Sequence, residues 1–281
     1  MILIFIAVLC TSASSVFIRM SNMPPLVIAL YRMTASAAFL SVPLIFGKEK
    51  GFGGITRRDL MRCVLSGTAL ALHFATWIAS VSMTSVAAST VLVSCSPIFV
   101  AAAGVITTRK MPGWRLMACL AAAILGTVMV AWGGQGGQST LLGNALALAG
   151  AFFVSIYLLI GQDVRKRVST AVYAFIVYAA AAAALFAGSL ILSQTLWPYP
   201  AREFGLVAAM AVVCSLGGHT LYNMLLKRRG AVLISLASLC EPVFASALAF
   251  LILGEAPGIG AVAGGAVVLG SLTVYILGAR G

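Results

Sequence analysis

Apolar residues run along this chain in blocks of about 20, the length a helix needs to cross a ~30 Å hydrocarbon core. Short stretches between the blocks hold most of the Lys and Arg. The blocks do not alternate as barrel strands would, so they read as helices. Ten spans are predicted, at about 2–19, 25–46, 60–81, 85–107, 112–132, 141–162, 170–192, 204–226, 231–253 and 257–277.

Composition agrees with a membrane protein. The 281 residues are 62% hydrophobic and 9% charged, where a soluble domain carries about a quarter charged residues. The spans leave no room for a separate soluble domain. With the N-terminus inside, 15 of the 18 Lys and Arg fall on the cytoplasmic side, and only Arg19, Arg32 and Arg202 fall outside. This asymmetry predicts a cytoplasmic N- and C-terminus. It also turns the net charge of +12 into a topology signal with some contact to anionic lipid, and excludes a nucleic-acid patch. Ser12-Ala13-Ser14 resembles a signal-cleavage site, but no basic stretch precedes residues 2–10, so this segment is read as an uncleaved span.

The chain repeats itself at an offset of 145 residues. Cys95-Ser96-Pro97-Ile98-Phe99 and Pro112-Gly113 return as Cys240-Glu241-Pro242-Val243-Phe244 and Pro257-Gly258. Basic residues change ends between the copies: Arg109-Lys110 face Gly254-Glu255, and Ser82-Met83-Thr84 face Lys227-Arg228-Arg229. Five spans per half force such an inversion, a construction typical of secondary transporters. The halves are expected at 1–133 and 141–281, with an outer Gly/Gln/Ser linker over 134–140.

Few polar groups lie within the spans, and such groups usually face a cavity. Glu241 is the only carboxylate near the middle of a span. Pro242 beside it, like Pro97 in the first copy, marks a helix break. Glu241 is a candidate proton-coupling group; a structural Glu at the kink is the alternative. His73 with Trp77, and His219 with Tyr222 and Asn223, share helix faces suited to an organic substrate. Packing histidines, with Trp77 in an outer aromatic belt beside Trp132 and Trp197, are the competing reading. Ser12, Ser15, Ser96 and Tyr157 complete the expected lining. Arg32 is expected to snorkel outward or meet a backbone carbonyl, rather than to attract anionic substrate. Asp163 is expected in a solvated ion pair with Arg165 and Lys166. The Gly260-x-x-x-Gly264 face suits packing within one subunit or a homodimer contact. The six Cys lack metal or redox spacing. No protease, hydrolase or P-loop motif is present. No enzyme activity, metal or cofactor is therefore expected.

Ser14-Ser15-Val16-Phe17-Ile18-Arg19 and Pro24-Pro25-Leu26-Val27-Ile28-Ala29-Leu30-Tyr31-Arg32-Met33 resemble the first two helices of EamA-type proteins of the drug/metabolite transporter superfamily. The run from Trp77 to Ser89, Ser96-Pro97, Glu241-Pro242-Val243-Phe244 and Gly254-Glu255 are similar to later motifs of that family, in order along the whole chain. The chain departs from the pattern at Arg109-Lys110, where an acidic residue is common. The resemblance implies an all-α membrane fold of two inverted five-helix repeats around a central cavity. It also implies transport of small metabolites such as amino acids, amines, nucleobases or drugs, often as export. The expectation is an inner-membrane secondary transporter, a monomer or homodimer, with protons as a candidate coupling ion and a passive facilitator as the alternative.

Overall fold

A chain in lipid must satisfy its backbone within helices or a closed barrel, and this one does so with helices. The computed structural model describes residues 2–46, 52, 54–84, 86–133, 140–254 and 258–278. Among the described residues there is no strand. Residues 134–139 of the expected 134–140 linker and the 255–257 segment lie outside them. The elements are α1 (Ile2–Met20), α2 (Pro25–Phe46), α3 (Arg57–Met83), α4 (Val86–Val93), α5 (Ser96–Thr108), α6 (Trp114–Gly133), α7 (Leu141–Val164), α8 (Thr170–Ile191), α9 (Ala201–Ala209), a π-helical segment (Met210–Thr220), α10 (Leu221–Ser238), α11 (Glu241–Leu253) and α12 (Ile259–Gly278). Among the described residues, seven helical stretches are long and apolar enough to cross a membrane, and three shorter apolar ones lie at Trp114–Met129, Glu241–Leu253 and Val262–Val274.

Start signals are local. Thr56, Thr140 and Ser169 cap α3, α7 and α8, each accepting from a backbone N–H three residues on. Inside α10, Gly230 adopts φ 75°, a left-handed conformation that breaks the helix. The N–H of Ala231, freed by that break, donates to Oε1 of Gln162 at 2.6 Å. Residues 201–229 thus form one continuous helical run with a π segment at its centre.

The two proline-containing helices share one design. Residues 86–93 and 231–238 are each followed by a two-residue turn and then a second helix, α5 or α11. The boundaries Val86 and Ala231, Ser96 and Glu241, and Arg109 and Gly254 are each 145 residues apart. Hydrogen bonds repeat too: Cys95 N to Leu92 O and Ile98 N to Cys95 O match Cys240 N to Ala237 O and Val243 N to Cys240 O. Arg109 (φ 54°) and Gly254 (φ 71°) both close their helices in the left-handed region.

Packing crosses between the halves. α3 lies along α7, α6 along α12, α2 along α8, and α1 along the π segment and α11. Small residues permit the closest approaches. A Cβ on Gly126 would lie 2.7 Å from the Gly264 carbonyl, and one on Gly67 would lie 2.5 Å from that of Val177. The Gly264 face therefore packs on α6 of the same chain. The six cysteines are free. Tyr157, Tyr173 and Tyr178 are fully buried, and their hydroxyls are paired with Asn223, Ser66 and Thr220.

Candidate functional site

Between these helices lies a cavity of about 50 Å³. At about 10–15 Å³ per water this holds a few water molecules. Both halves build its wall. α1 gives Thr11 and Ser14, α2 gives Arg32, and α3 gives His73 and Trp77. The turn before α5 gives Ser94, and α5 opens with Ser96. His219 comes from the π segment, Tyr222 and Ser238 from α10, and Glu241 from the start of α11. Val93, Val154, Leu158 and Ile234 supply the apolar part.

Glu241 is the only carboxylate on this wall among the described residues. As the first residue of α11 it sits where the helix dipole favours an anion. Its Oε1 accepts the Tyr222 hydroxyl at 3.1 Å, and Thr11 Oγ1 lies 3.4 Å from that hydroxyl. The break ahead of Pro242 is what turns this carboxyl toward the cavity.

Arg32 is the cation on the same wall, at 0% exposure. Nε donates to Ser215 Oγ at 2.9 Å and Nη1 to Ser14 Oγ at 2.8 Å. The guanidinium carbon lies 4.4 Å from the centroid of Phe74. Nη2 is buried without a partner. The π segment makes this seat: the Ser215 carbonyl accepts the Thr220 hydroxyl, which accepts in turn from Tyr178, and the Ser215 hydroxyl accepts from Arg32. Such π turns are frequent at functional sites.

Rings line the rest. His73 stacks on Trp77 with centroids 5.9 Å apart and planes 9° apart. Its Nδ1 is 2.9 Å from the Gly150 carbonyl. A carbonyl only accepts, so Nδ1 carries the proton. His219 packs edge-on against Phe74, Tyr157 and Tyr222, and its Nδ1 has no partner. Trp77 Nε1 and Ser94 Oγ, on the same wall, are also buried and unpaired.

Of the residues expected from the sequence, His73, Trp77, Ser96, His219, Tyr222 and Glu241 converge on the cavity. Ser12 and Ser15 do not. Their hydroxyls donate to Val8 O and Ser12 O within α1, while Thr11 and Ser14 face inward. Tyr157 and Asn223 stand behind the wall, joined by a 2.7 Å bond from the Tyr157 hydroxyl to Asn223 Oδ1. Pro97 and Pro242 lie in the first turns of α5 and α11 rather than in the turns themselves. Arg32 neither snorkels nor meets a carbonyl, because two hydroxyls and a ring hold it inside. Trp77 is buried against His73 rather than placed in an outer belt.

A family model described as the EamA-like transporter family matches residues 1–132 and again 141–277. The chain belongs to this family. It is a multi-pass membrane protein of a transporter family for small substrates. A solved structure described only as the crystal structure of a protein shares the fold, with TM-score 0.77 at 18% identity over 99% of this chain and 96% of its own. No curated protein matches.

One further polar group of this EamA-family transporter lies at the far end of α3. Asp163 pairs with Arg62 and Arg167, and Arg167 also binds Asp59 at 2.9 Å. These, not Arg165 and Lys166, are the partners of Asp163. The hydrogen bonds from Arg167 to Asp163, then Asp59, hold its guanidinium above its ordinary range. Arg165 is buried, its Nε donating to the Asn223 carbonyl at 3.0 Å and its other nitrogens to Val168 O and Thr170 Oγ1.

Proposed function

We propose that this protein moves a small organic metabolite (an amino acid, amine, nucleobase or drug-like compound) across the cell inner membrane as an exporter. It works by alternating access, with ten spans in two inverted repeats over 1–133 and 141–281 and both termini cytoplasmic. The observation that carries this reading is the cavity itself: small, walled by both halves, and holding one acid at a helix break. The matching boundaries at 145 residues and the reciprocal packing of the halves support the repeat.

Within that reading Glu241 is the proton-coupling group, and Ser96, His73, Trp77, His219 and Tyr222 contact substrate. Tyr157 and Asn223 position that layer from behind. The charged and titratable groups around Glu241 are Arg32, His73, His219, Tyr222, Cys214 and Cys240. The test uses proteoliposomes loaded with a metabolite extract, with release followed by mass spectrometry with and without a pH gradient. Wild-type protein is expected to concentrate its substrate when the gradient is imposed. E241Q, which holds the site uncharged, is expected to exchange substrate but not to concentrate it. A wild-type protein indifferent to the gradient would instead be a passive facilitator.

A further inference from the structure

We infer that Arg32 is the anion subsite of the cavity, and that the substrate therefore carries a carboxylate. This rests on the transport reading above and names the chemistry of the molecule carried. A guanidinium has five N–H donors and no acceptor. In this protein it is wholly buried, and burying a charge is unfavourable by several kcal/mol unless it is paired. Its direct partners are neutral, the Ser14 and Ser215 hydroxyls and the Phe74 ring; the carboxyl that acts on it, Glu241, does so from elsewhere on the cavity wall. Among the described residues it makes no ion pair. Glu241 lines the same cavity but gives its carboxylate to Tyr222, not to Arg32.

The unpaired group is Nη2, on a residue of the cavity wall. Nε and Nη1 are each held by a hydroxyl, which leaves Nη2 as the unpaired donor. A carboxylate oxygen can accept from it, and a charge-assisted bond of this kind is about twice as strong as a neutral one. The buried, unpaired Trp77 Nε1 is a further donor on this wall, again suited to an acceptor-rich ligand. The stacked His73–Trp77 pair and the apolar wall residues favour an apolar or planar body behind the acid group.

The experiment uses the purified full-length protein and four one-ring probes: phenylacetate, phenylalanine, phenethylamine and phenylacetamide. Thermal stabilisation and counterflow in proteoliposomes are read for each. The acid-bearing pair are expected to stabilise and exchange; the amine and the amide are not. Phenylacetate matching phenylalanine means that the acid alone is read, and phenylalanine alone means that an ammonium is read as well; both support the subsite. R32Q is expected to weaken the acid response by roughly ten-fold or more, the factor set by a charge-assisted bond, with R32K retaining part of it. Wild-type protein needs no substitution to give the acid-against-amide comparison, so an unstable variant does not block the test. The inference is overturned if the amide or amine performs as well as the acids, if no acid responds, or if folded R32Q responds like wild type. The metabolite-extract assay judges the carrier reading separately, since release of non-acidic compounds there would leave the carrier standing and remove the anion subsite.

Discussion

Arg32 and Glu241 bring opposite charges into one small cavity, and each is held by hydroxyl groups rather than by the other. That arrangement leaves both charges available, whereas a closed ion pair would not. Behind them the Tyr157–Asn223 bond fixes the inner layer. Y157F leaves Asn223 Oδ1 without that donor, and an unmatched buried polar group costs about 1–3 kcal/mol. A matching fall in thermal stability in detergent is the expected result, with no change in substrate range. At this scale the sequence was legible where a residue type is rare in a membrane: Glu241, His73, His219 and Trp77 stand out by chemistry alone. It was not legible in α1. Thr11 and Ser14 face the cavity while Ser12 and Ser15 turn away, and neighbouring positions differ by about 100° around a helix. Small hydroxyl residues lie on both faces of α1, so no single polar stripe sets the rotation. Arg32 was misjudged for a related reason, since the Ser14, Ser215 and Phe74 that hold it come from three distant parts of the chain.

The interrupted helices carry the clearest mechanical signature. Arg109 adopts the left-handed conformation that Gly254 adopts in the other copy. For a residue with a side chain this costs about 1–2 kcal/mol. R109G is therefore expected to raise the thermal midpoint, and G254A to lower it by a comparable amount. The close helix contacts are less forgiving. G67V drives a side chain into the Val177 carbonyl and Ala180, and overpacking of this kind costs about 1–3 kcal/mol or more; loss of folded yield in membranes is the measurement. Span lengths and proline positions could be read along the chain because lipid thickness and the missing proline N–H act locally. The π segment could not. Its Ser215 is bonded by Arg32 and its Thr220 by Tyr178, and nothing in the run Met210–Thr220 encodes those partners by itself.

On the scale of the whole molecule, the halves hold each other through reciprocal contacts, and one end is tied by Arg62, Asp163, Arg167 and Asp59 across α3 and α7. Exposed pairs of this sort contribute about 0–1 kcal/mol to stability. D163N is expected to leave the thermal midpoint in detergent nearly unchanged, since Arg167 keeps its bond to Asp59. Such links between distant spans follow from tertiary packing and were hidden in the sequence, where Asp163 faced nearer basic neighbours. The paired breaks lead to one more consequence. Both copies keep the same interrupted geometry, yet one begins its second segment with Ser96 and the other with Glu241. The bend therefore does not require the acid. Exchanging the two, S96E with E241S, would move the acid to the mirror position of the inverted architecture proposed above. Both bends would remain, while the acid would lose the Tyr222 hydroxyl that holds it.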